Sequence, residues 1–586
     1  MKSVRRISSW SSGRRWASIS CTLARAFIAL GTFVGSLNAD ENPPTTEGIQ
    51  FMNLPIASGL DFVHFDGNSG KQYLVELMCG GLATADFDND GLIDIFFCNG
   101  AVLASPQGST DAGAGASNRL FRNRSLGRSL GSQTDITGLH FLDVTFNSQA
   151  NDQAFSLGVV TADFDNDGFE DLFVNNFGQN QLLHNNGDGT FSDATQVSGL
   201  DSEHCFGAGA VVADFDQDGD LDLFVGNYVD FDFTVYAQKS ARSFPYPPGP
   251  KDFPPVPDAL FLNQGNGTFV DASRSAGLQD APGPSMGLTA GDFDNDGDQD
   301  VLVCNDGAPN QLWLNDGHAH FSEEGILAGI AYDLVGNANG SMGIEPVDLN
   351  GDGIEDFLIT DYARQLPMLL MSYGPASYQD ETRVAKLGNE VIPHVNWGVG
   401  LYDFDLDGDL DAFLSNGHFL EDAARIEPGT DFAIPNSLYL NEGANRFVDR
   451  SHDSGEAFSA RASSRGCTFD DLDNDGDIDV AVLNCRSQAQ VCVNVTQTKG
   501  KWIEVELVGT RINRSAVGAR IIVATPEKSL ARCARRGQGY QSSYGTRLHF
   551  GIQEANSVDL TVWWSPGHKQ ELHNVPVNQL LRIVEE

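Results

Sequence analysis

"DFDNDGLID", Asp86–Asp94, sets acidic residues at its first, third, fifth and ninth positions. Carboxylates crowded into so short a stretch repel one another unless a cation lies among them. Nearly the same string returns as "DFDNDGFED" at 163, "DFDQDGDLD" at 214, "DFDNDGDQD" at 292, "DLNGDGIED" at 348, "DFDLDGDLD" at 403 and "DLDNDGDID" at 471, making seven copies. A small, apolar run such as "GAGAVVA" precedes each copy and a run such as "LFVGN" follows it. The acidic string therefore reads as the turn between two antiparallel strands. Most repeats continue into a second hairpin, as in "QLLHNNGDGTFSDAT" at 181 and "ALFLNQGNGTFVDAS" at 259. Two hairpins supply four strands, the content of one propeller blade.

The two ends of the chain bear on closure of the ring. The seventh repeat has a third strand, "AQVCVNV", with no "GTFSDAT" strand after it, whereas "IQFMNLPIASGL" near the N-terminus matches "TFSDATQVSGL" in type and length. The N-terminal strand is expected to complete the seventh blade, leaving no sheet edge open. An open β-solenoid is the alternative. The fold class expected is all-β: a seven-bladed β-propeller over 49–497, followed by a small β-sandwich-like domain over 498–586.

The acids at positions 1, 3, 5 and 9 are the candidate metal ligands. In the first three loops they are Asp86, Asp88, Asp90 and Asp94; Asp163, Asp165, Asp167 and Asp171; and Asp214, Asp216, Asp218 and Asp222. The fourth and fifth loops offer Asp292, Asp294, Asp296 and Asp300, then Asp348, Asn350, Asp352 and Asp356. The last two offer Asp403, Asp405, Asp407 and Asp411, and Asp471, Asp473, Asp475 and Asp479. Glycine at position 6 permits a sharp turn, and the variable position 7 can lend its backbone carbonyl. An EF-hand would need Glu at position 12, where all seven copies carry an apolar residue, from Phe97 to Val482. Oxygen donors without His or Cys argue against transition metals, and magnesium prefers to keep its waters. Calcium is the expected cation, up to seven ions.

The chain of 586 residues is 41% hydrophobic and carries a formal charge of −44, so it is a folded and strongly acidic protein. Nucleic acid and anionic membranes are poor partners for it. Residues 1–39 hold six basic residues and no acid, then "AFIALGTFVGSLNA", which reads as a secretory signal peptide. An uncleaved anchor is the alternative. Residues 40–48 are a linker, and no membrane span is expected in the mature chain. Cys79 with Cys98, and Cys485 with Cys492, are possible disulfides, with buried free thiols the other reading. Five Asn-x-Ser/Thr sequences stand at Asn123, Asn266, Asn339, Asn494 and Asn513.

These loops and their "GTF.D" hairpins resemble the FG-GAP/VCBS repeats of integrin-type propellers. After residue 500, "KWIEVELVGTRINRSAVGARIIV", "GQGYQSS", "LHFGI" and "VDLTVWWSPG" resemble the ASPIC/UnbV domain of secreted proteins similar to cartilage acidic protein. The resemblance implies an extracellular, calcium-binding protein with ligands at the four acidic positions of each loop. "WWSPG" at 563 departs from the family's Trp-Pro-Ser-Gly, and the Pro-rich insert at 228–258 lacks the cysteines that relatives often carry there.

Residues 501–586 reverse the charge balance, with 11 Lys plus Arg against 8 Asp plus Glu. Their arginines, from Arg511 to Arg536, suit either an anionic glycan or the acidic propeller itself. The insert reads as a binding loop, a lid, or packing against a neighbouring blade. No GxSxG, HExxH or P-loop appears, and His394 and His418 are isolated. The reading favoured is a secreted, calcium-binding, non-catalytic adhesion scaffold for an extracellular protein or glycan. It places the protein outside the cell, at the cell surface or in the periplasm. A calcium-dependent polysaccharide lyase or hydrolase is the alternative, since fold alone does not decide function.

Overall fold

The computed structural model describes residues 48–67, 69–103, 117–125, 138–200, 205–241 and 246–586. The proposed signal peptide and nearly all of the linker lie outside these residues. Seven blades of four antiparallel strands follow one another along the chain. In the fourth blade, strands Ser285–Gly291, Asp300–Asn305, Gln311–Asn315 and Phe321–Glu323 pair in simple up-and-down order. The second and third blades are additionally joined where Cys205–Phe206 pairs with Phe177–Gly178. The seventh blade takes its outer strand from the other end of the chain. Phe51–Asn53 pairs antiparallel with Gln490–Asn494, Phe51 lying opposite Asn494.

Adjacent blades meet face to face through apolar cores. Phe164, for example, packs with Phe269, Val212 and Leu221 of the next blade. A buried asparagine on the third strand adds a polar link between neighbours. Asn263 Nδ2 donates to Phe164 O of the preceding blade at 2.8 Å, and Asn315 Nδ2 donates to Phe215 O at 2.8 Å. The same link runs from Asn185 to Phe87 O, from Asn494 to Phe404 O and from Asn123 to Leu472 O, so it crosses the closing seam as well. Each satisfies a carbonyl that no ladder reaches, which buried backbone requires.

The C-terminal domain is a sandwich of two sheets. One holds Trp502–Val508, Leu548–Gly551 and Leu580–Val584; the other holds Arg520–Ala524, Ser529–Cys533, Ser557–Ser565 and His568–Pro576. The unusual "WWSPG" forms a tight hairpin, in which Ser565 faces His568 across Pro566 and Gly567, the glycine at φ 80°. From this sandwich the stretch 535–545 runs into the bore of the propeller. Ser543 O accepts from Thr84 N of the first blade at 2.9 Å, and Gln541 O accepts from Val159 N of the second at 3.2 Å. Ile344 of the fifth blade exchanges backbone hydrogen bonds with Gly539, and Tyr544 OH donates to Glu345 Oε2 at 2.7 Å. The approach is close. A Cβ on Gly81 of the inner strand would stand 1.7 Å from Gln541 O. The bore is filled by the motif "GQGYQSS".

Neither disulfide considered from sequence forms: Cys79, Cys98, Cys485 and Cys492 are all free thiols. Cys98 points into the core between the first two blades and Cys492 into the core between the sixth and seventh. Cys79 and Cys485 instead share the core between the seventh and first blades. Alternation of side chains across a sheet separates residues that spacing alone brings together. Of the five glycosylation sequences, Asn123, Asn339, Asn494 and Asn513 are buried, and Asn266 is exposed.

Candidate metal centres

Each acidic string folds as the same compact loop between the first and second strands of its blade. Two residues adopt left-handed backbone. Position 6 is always glycine, as at Gly91 (φ 87°), and position 4 is Asn89 (φ 54°), Asn166 (φ 58°) or Gln217 (φ 59°) in the first three loops. Asn and Gly tolerate that region best, and the fifth loop carries Gly351 at position 4. The position-1 carboxylate closes the loop from inside. Asp86 accepts from Asp90 N at 3.0 Å and Gly91 N at 2.8 Å, and Asp214 accepts from Asp218 N and Gly219 N, both at 3.0 Å. The position-9 carboxylate bridges strands: Asp222 accepts from Phe215 N at 2.9 Å and from Asn263 N at 2.8 Å.

The carboxylates predicted as ligands are brought together. One oxygen each from Asp86, Asp88 and Asp90 lies within 4.8 Å of the others, as do those of Asp214, Asp216 and Asp218, and of Asp292, Asp294 and Asp300. Backbone amides answer positions 1 and 9, but the buried Asp88 Oδ1 and Asp216 Oδ1 at position 3 have no hydrogen-bond partner among the described residues. Burial, reinforced by neighbouring carboxylates, pushes Asp222 and Asp300 up to about 8 and Asp163 and Asp356 up to about 7. Asp94, Asp403, Asp411 and Asp471 rise well above the carboxylate range for the same reason. Desolvated negative charge with unfilled oxygen valences is the environment a hard dication relieves.

The seven loops are not equivalent. In the first blade, Arg122 Nη1 sits 3.0 Å from Asp88 Oδ2, and Arg124 reaches Asp90 at 3.2 Å. In the second, His184 occupies the matching third-strand position, with Nδ1 3.1 Å from Asp171 Oδ1 and 3.6 Å from Asp165 Oδ2. The hydrogen bond to Asp171 lifts His184 to about 9. The corresponding residues in the next two blades are Leu262 and Leu314. In the fifth loop Asn350 folds back, its Oδ1 accepting from Asp352 N at 2.8 Å. Arg122 and His184 were not recognised from the strings alone. Aligning "RLFRN" and "QLLHN" with "ALFLN" and "QLWLN" would have revealed them. Asp403, Asp405, Asp407 and Asp411, like the seventh set, lie in loops of the common form.

The basic C-terminal domain lies on this ring of loops. Arg547 donates to Gly91 O and Asn474 Oδ1, both at 2.7 Å, and Arg514 N donates to Asn166 Oδ1 at 2.9 Å. Lys528 reaches Asp409 at 2.9 Å; Arg536 pairs with Glu170 at 3.2 Å, and the buried Arg535 pairs with Glu355. Arg520 and Arg532 also reach the propeller, at Asp348 and Leu401 O, whereas the exposed Arg511 turns to His568 of its own domain.

At the opposite mouth of the bore, the proline-rich insert covers a cavity of ≈ 460 Å³. Tyr228, Tyr246, Tyr362, Trp397 and Phe419 line it with Met342 and Pro247. Helix Phe233–Ser240 of the insert packs beside it in an aromatic cluster with Tyr73 and Phe253. Glu427 is buried in the wall. Tyr246 OH donates to its Oε1, while Glu427 Oε2 and His418 Nε2, 3.9 Å apart, have no hydrogen-bond partners among the described residues. Burial drives His418 down to about 4, so it is neutral. His394 is likewise depressed by burial and lies 3.3 Å from Thr430 Oγ1.

Comparison with known families bears directly on these loops. Residues 163–225, 255–303 and 292–359 match the FG-GAP-like repeat, and residues 509–586 match ASPIC and UnbV. The chain carries FG-GAP-like repeats followed by an ASPIC/UnbV domain. Cartilage acidic protein 1 of Homo sapiens is 23% identical over 462 residues, covering 74% of this chain and 63% of that protein. The Mus musculus protein of the same name is 23% identical over 344 residues, covering 56% of this chain and 41% of the relative. The chain thus spans less than two thirds of the length of either. A solved Agrocybe aegerita lectin, described as recognising non-reducing terminal N-acetylglucosamine, aligns over 71% of this chain and 94% of its own at 12% identity and a TM-score of 0.37. Among the described residues, no helix is long and apolar enough to cross a membrane.

Proposed function

We propose that this FG-GAP and ASPIC/UnbV protein is a secreted, calcium-dependent binding scaffold without catalytic activity. The observation that carries the reading is the pair of partnerless position-3 oxygens, at Asp88 and Asp216, inside loops whose other carboxylates are held by backbone amides. Calcium would be held by the acids at positions 1, 3, 5 and 9 of each loop. Its charge would relieve repulsion among them and stiffen the face on which the C-terminal domain rests. With that face covered and the bore filled, the opposite mouth and its aromatic cavity are left for an extracellular protein or glycan. Cavities of this size suit small ligands or a single protruding group of a larger one.

Thermal unfolding of the metal-stripped chain, titrated with calcium and separately with magnesium, tests the proposal. A calcium-selective rise in midpoint supports it, since a ligand that binds only the folded state stabilises that state. No shift with either ion overturns it. Glu427 and His418 favour a second reading, a polysaccharide-acting enzyme using this cavity. Glycan turnover that disappears in E427Q would establish that alternative.

A further inference from the structure

The seam where the ring closes holds a cluster of a different chemical character from the acidic loops. His64, Cys79 and Cys485 are all buried, and one ligand atom from each lies within 4.8 Å of the other two. They come from three separate stretches. His64 follows Val63, which bridges to Gln488 of the seventh blade, and His64 N donates to Ser487 O at 3.3 Å. Cys79 precedes the inner strand of the first blade, and Cys485 follows the second strand of the seventh. Neither nitrogen of the His64 ring has a hydrogen-bond partner outside this cluster among the described residues, although the residue is only 2% exposed; inside it the ring meets the Cys485 thiol, which in turn meets Cys79. The only polar company of this sealed imidazole is a pair of soft sulfur donors. Cys79 is also held at φ 56° and ψ −164°, a conformation otherwise almost confined to glycine, which aims its thiol at the seam.

We infer that His64, Cys79 and Cys485 form a buried three-coordinate site for a soft monovalent metal, copper(I), clipping the seventh blade to the first. Two thiolates and an imidazole are a donor set that soft cations select over calcium or magnesium. Donors about 2.0–2.3 Å from a shared ion stand roughly 3.5–4 Å from each other, inside the observed spread. Charge decides between the candidates. Arg465 lies beside the cluster, fully buried, and donates only to neutral oxygens: Leu77 O and Met78 O at 3.2 Å, Ser463 Oγ at 2.9 Å and Ser464 O at 2.8 Å. The nearby Asp66 is paired with Arg486. Copper(I) with two thiolates carries one negative charge, which the guanidinium balances. Zinc with the same ligands is neutral and leaves Arg465 with neutral oxygens and the face of Trp397, 4.0 Å from its guanidinium carbon, but no anionic partner.

The test uses the full mature chain, reduced, calcium-loaded and given copper(I) anaerobically against bicinchoninate as a competing chelator. One copper(I) per chain is expected to resist the competitor, with two sulfur donors and one nitrogen donor in its X-ray absorption spectrum. C79S and C485S should each lose it, and H64Q should release it more readily. The wild-type stoichiometry and spectrum decide the matter should the variants fold poorly. The inference falls if no copper(I) is retained, if C79S and C485S retain it equally, or if zinc(II) displaces it. It falls also if peptide mapping of the denatured, unreduced protein finds Cys79 and Cys485 joined as a disulfide.

Discussion

The acidic loops of the first and third blades share nearly the same sequence, yet they pose different electrostatic problems. In "DFDNDGLID" the position-3 carboxylate of Asp88 is met by Arg122 from the third strand of the blade and by Arg124 just past its end. In "DFDQDGDLD" the third strand offers Leu262 at the same place, and Asp220 adds a further acid. Burial, aided by Asp218, raises Asp216. The first loop therefore carries part of its counter-charge within the chain, whereas the third strand of the third blade offers its loop none. A motif nine residues long names the acids. It does not state how much of their charge the rest of the blade offsets.

Four measurements would sharpen or break this contrast. The largest effect is expected from removing calcium altogether. A site held at a hundredfold above its Kd contributes about 2.7 kcal/mol, so losing several together should lower the unfolding midpoint more than any single substitution. Next in size, Asp216→Asn should remove one bound calcium and about that much calcium-dependent stability, while Asp88→Asn should change both far less. Equal losses in the two variants, read by calcium stoichiometry and calorimetry, would erase the distinction. Exchanging the third-strand residues comes third. Leu262→Arg should cost one calcium yet leave the metal-free protein within about 1 kcal/mol of wild type, the ordinary scale of a partly exposed ion pair. Arg122→Leu should tighten calcium at the first loop. The smallest effect concerns pH. Asp222 and Asp300, at about 8, and Asp163 and Asp356, at about 7, hold protons in the folded state that the unfolded chain releases near pH 4. The metal-free protein should thus lose stability as pH rises from 4 to 8. Saturating calcium should flatten that slope, and a slope unchanged by calcium would place the ion elsewhere.

Much of the architecture was legible because it is written locally. Asp, Asn and Gly in a fixed order specify a turn, and the apolar runs beside them specify strands, so the blades could be read off one repeat at a time. The acids gathered in the loops were legible for the same reason. What escaped depends on contacts between distant residues. Arg122 lies far along the chain from Asp88, on a strand whose pattern otherwise matches its neighbours. Cys79 and Cys98 are close in sequence but face different inter-blade cores, so proximity along the chain suggested the wrong partner. The stretch "GQGYQSS" carries no periodicity that announces a plug. Its residues are explained only by the ring around them, as when Gly81 makes room for Gln541.

The seam of the ring also bears on the order in which the molecule can be built. Gln50 N donates to Thr496 Oγ1, a partner 446 residues away. A chain that emerges N-terminus first must hold this strand unpaired until almost the whole propeller has been synthesised. Contacts at such separation slow folding, because entropy is lost before stabilising contacts form. The first-made strand of the propeller is therefore among the last to find its place, and during that interval it is an open edge for a chaperone, a protease or another nascent copy to seize.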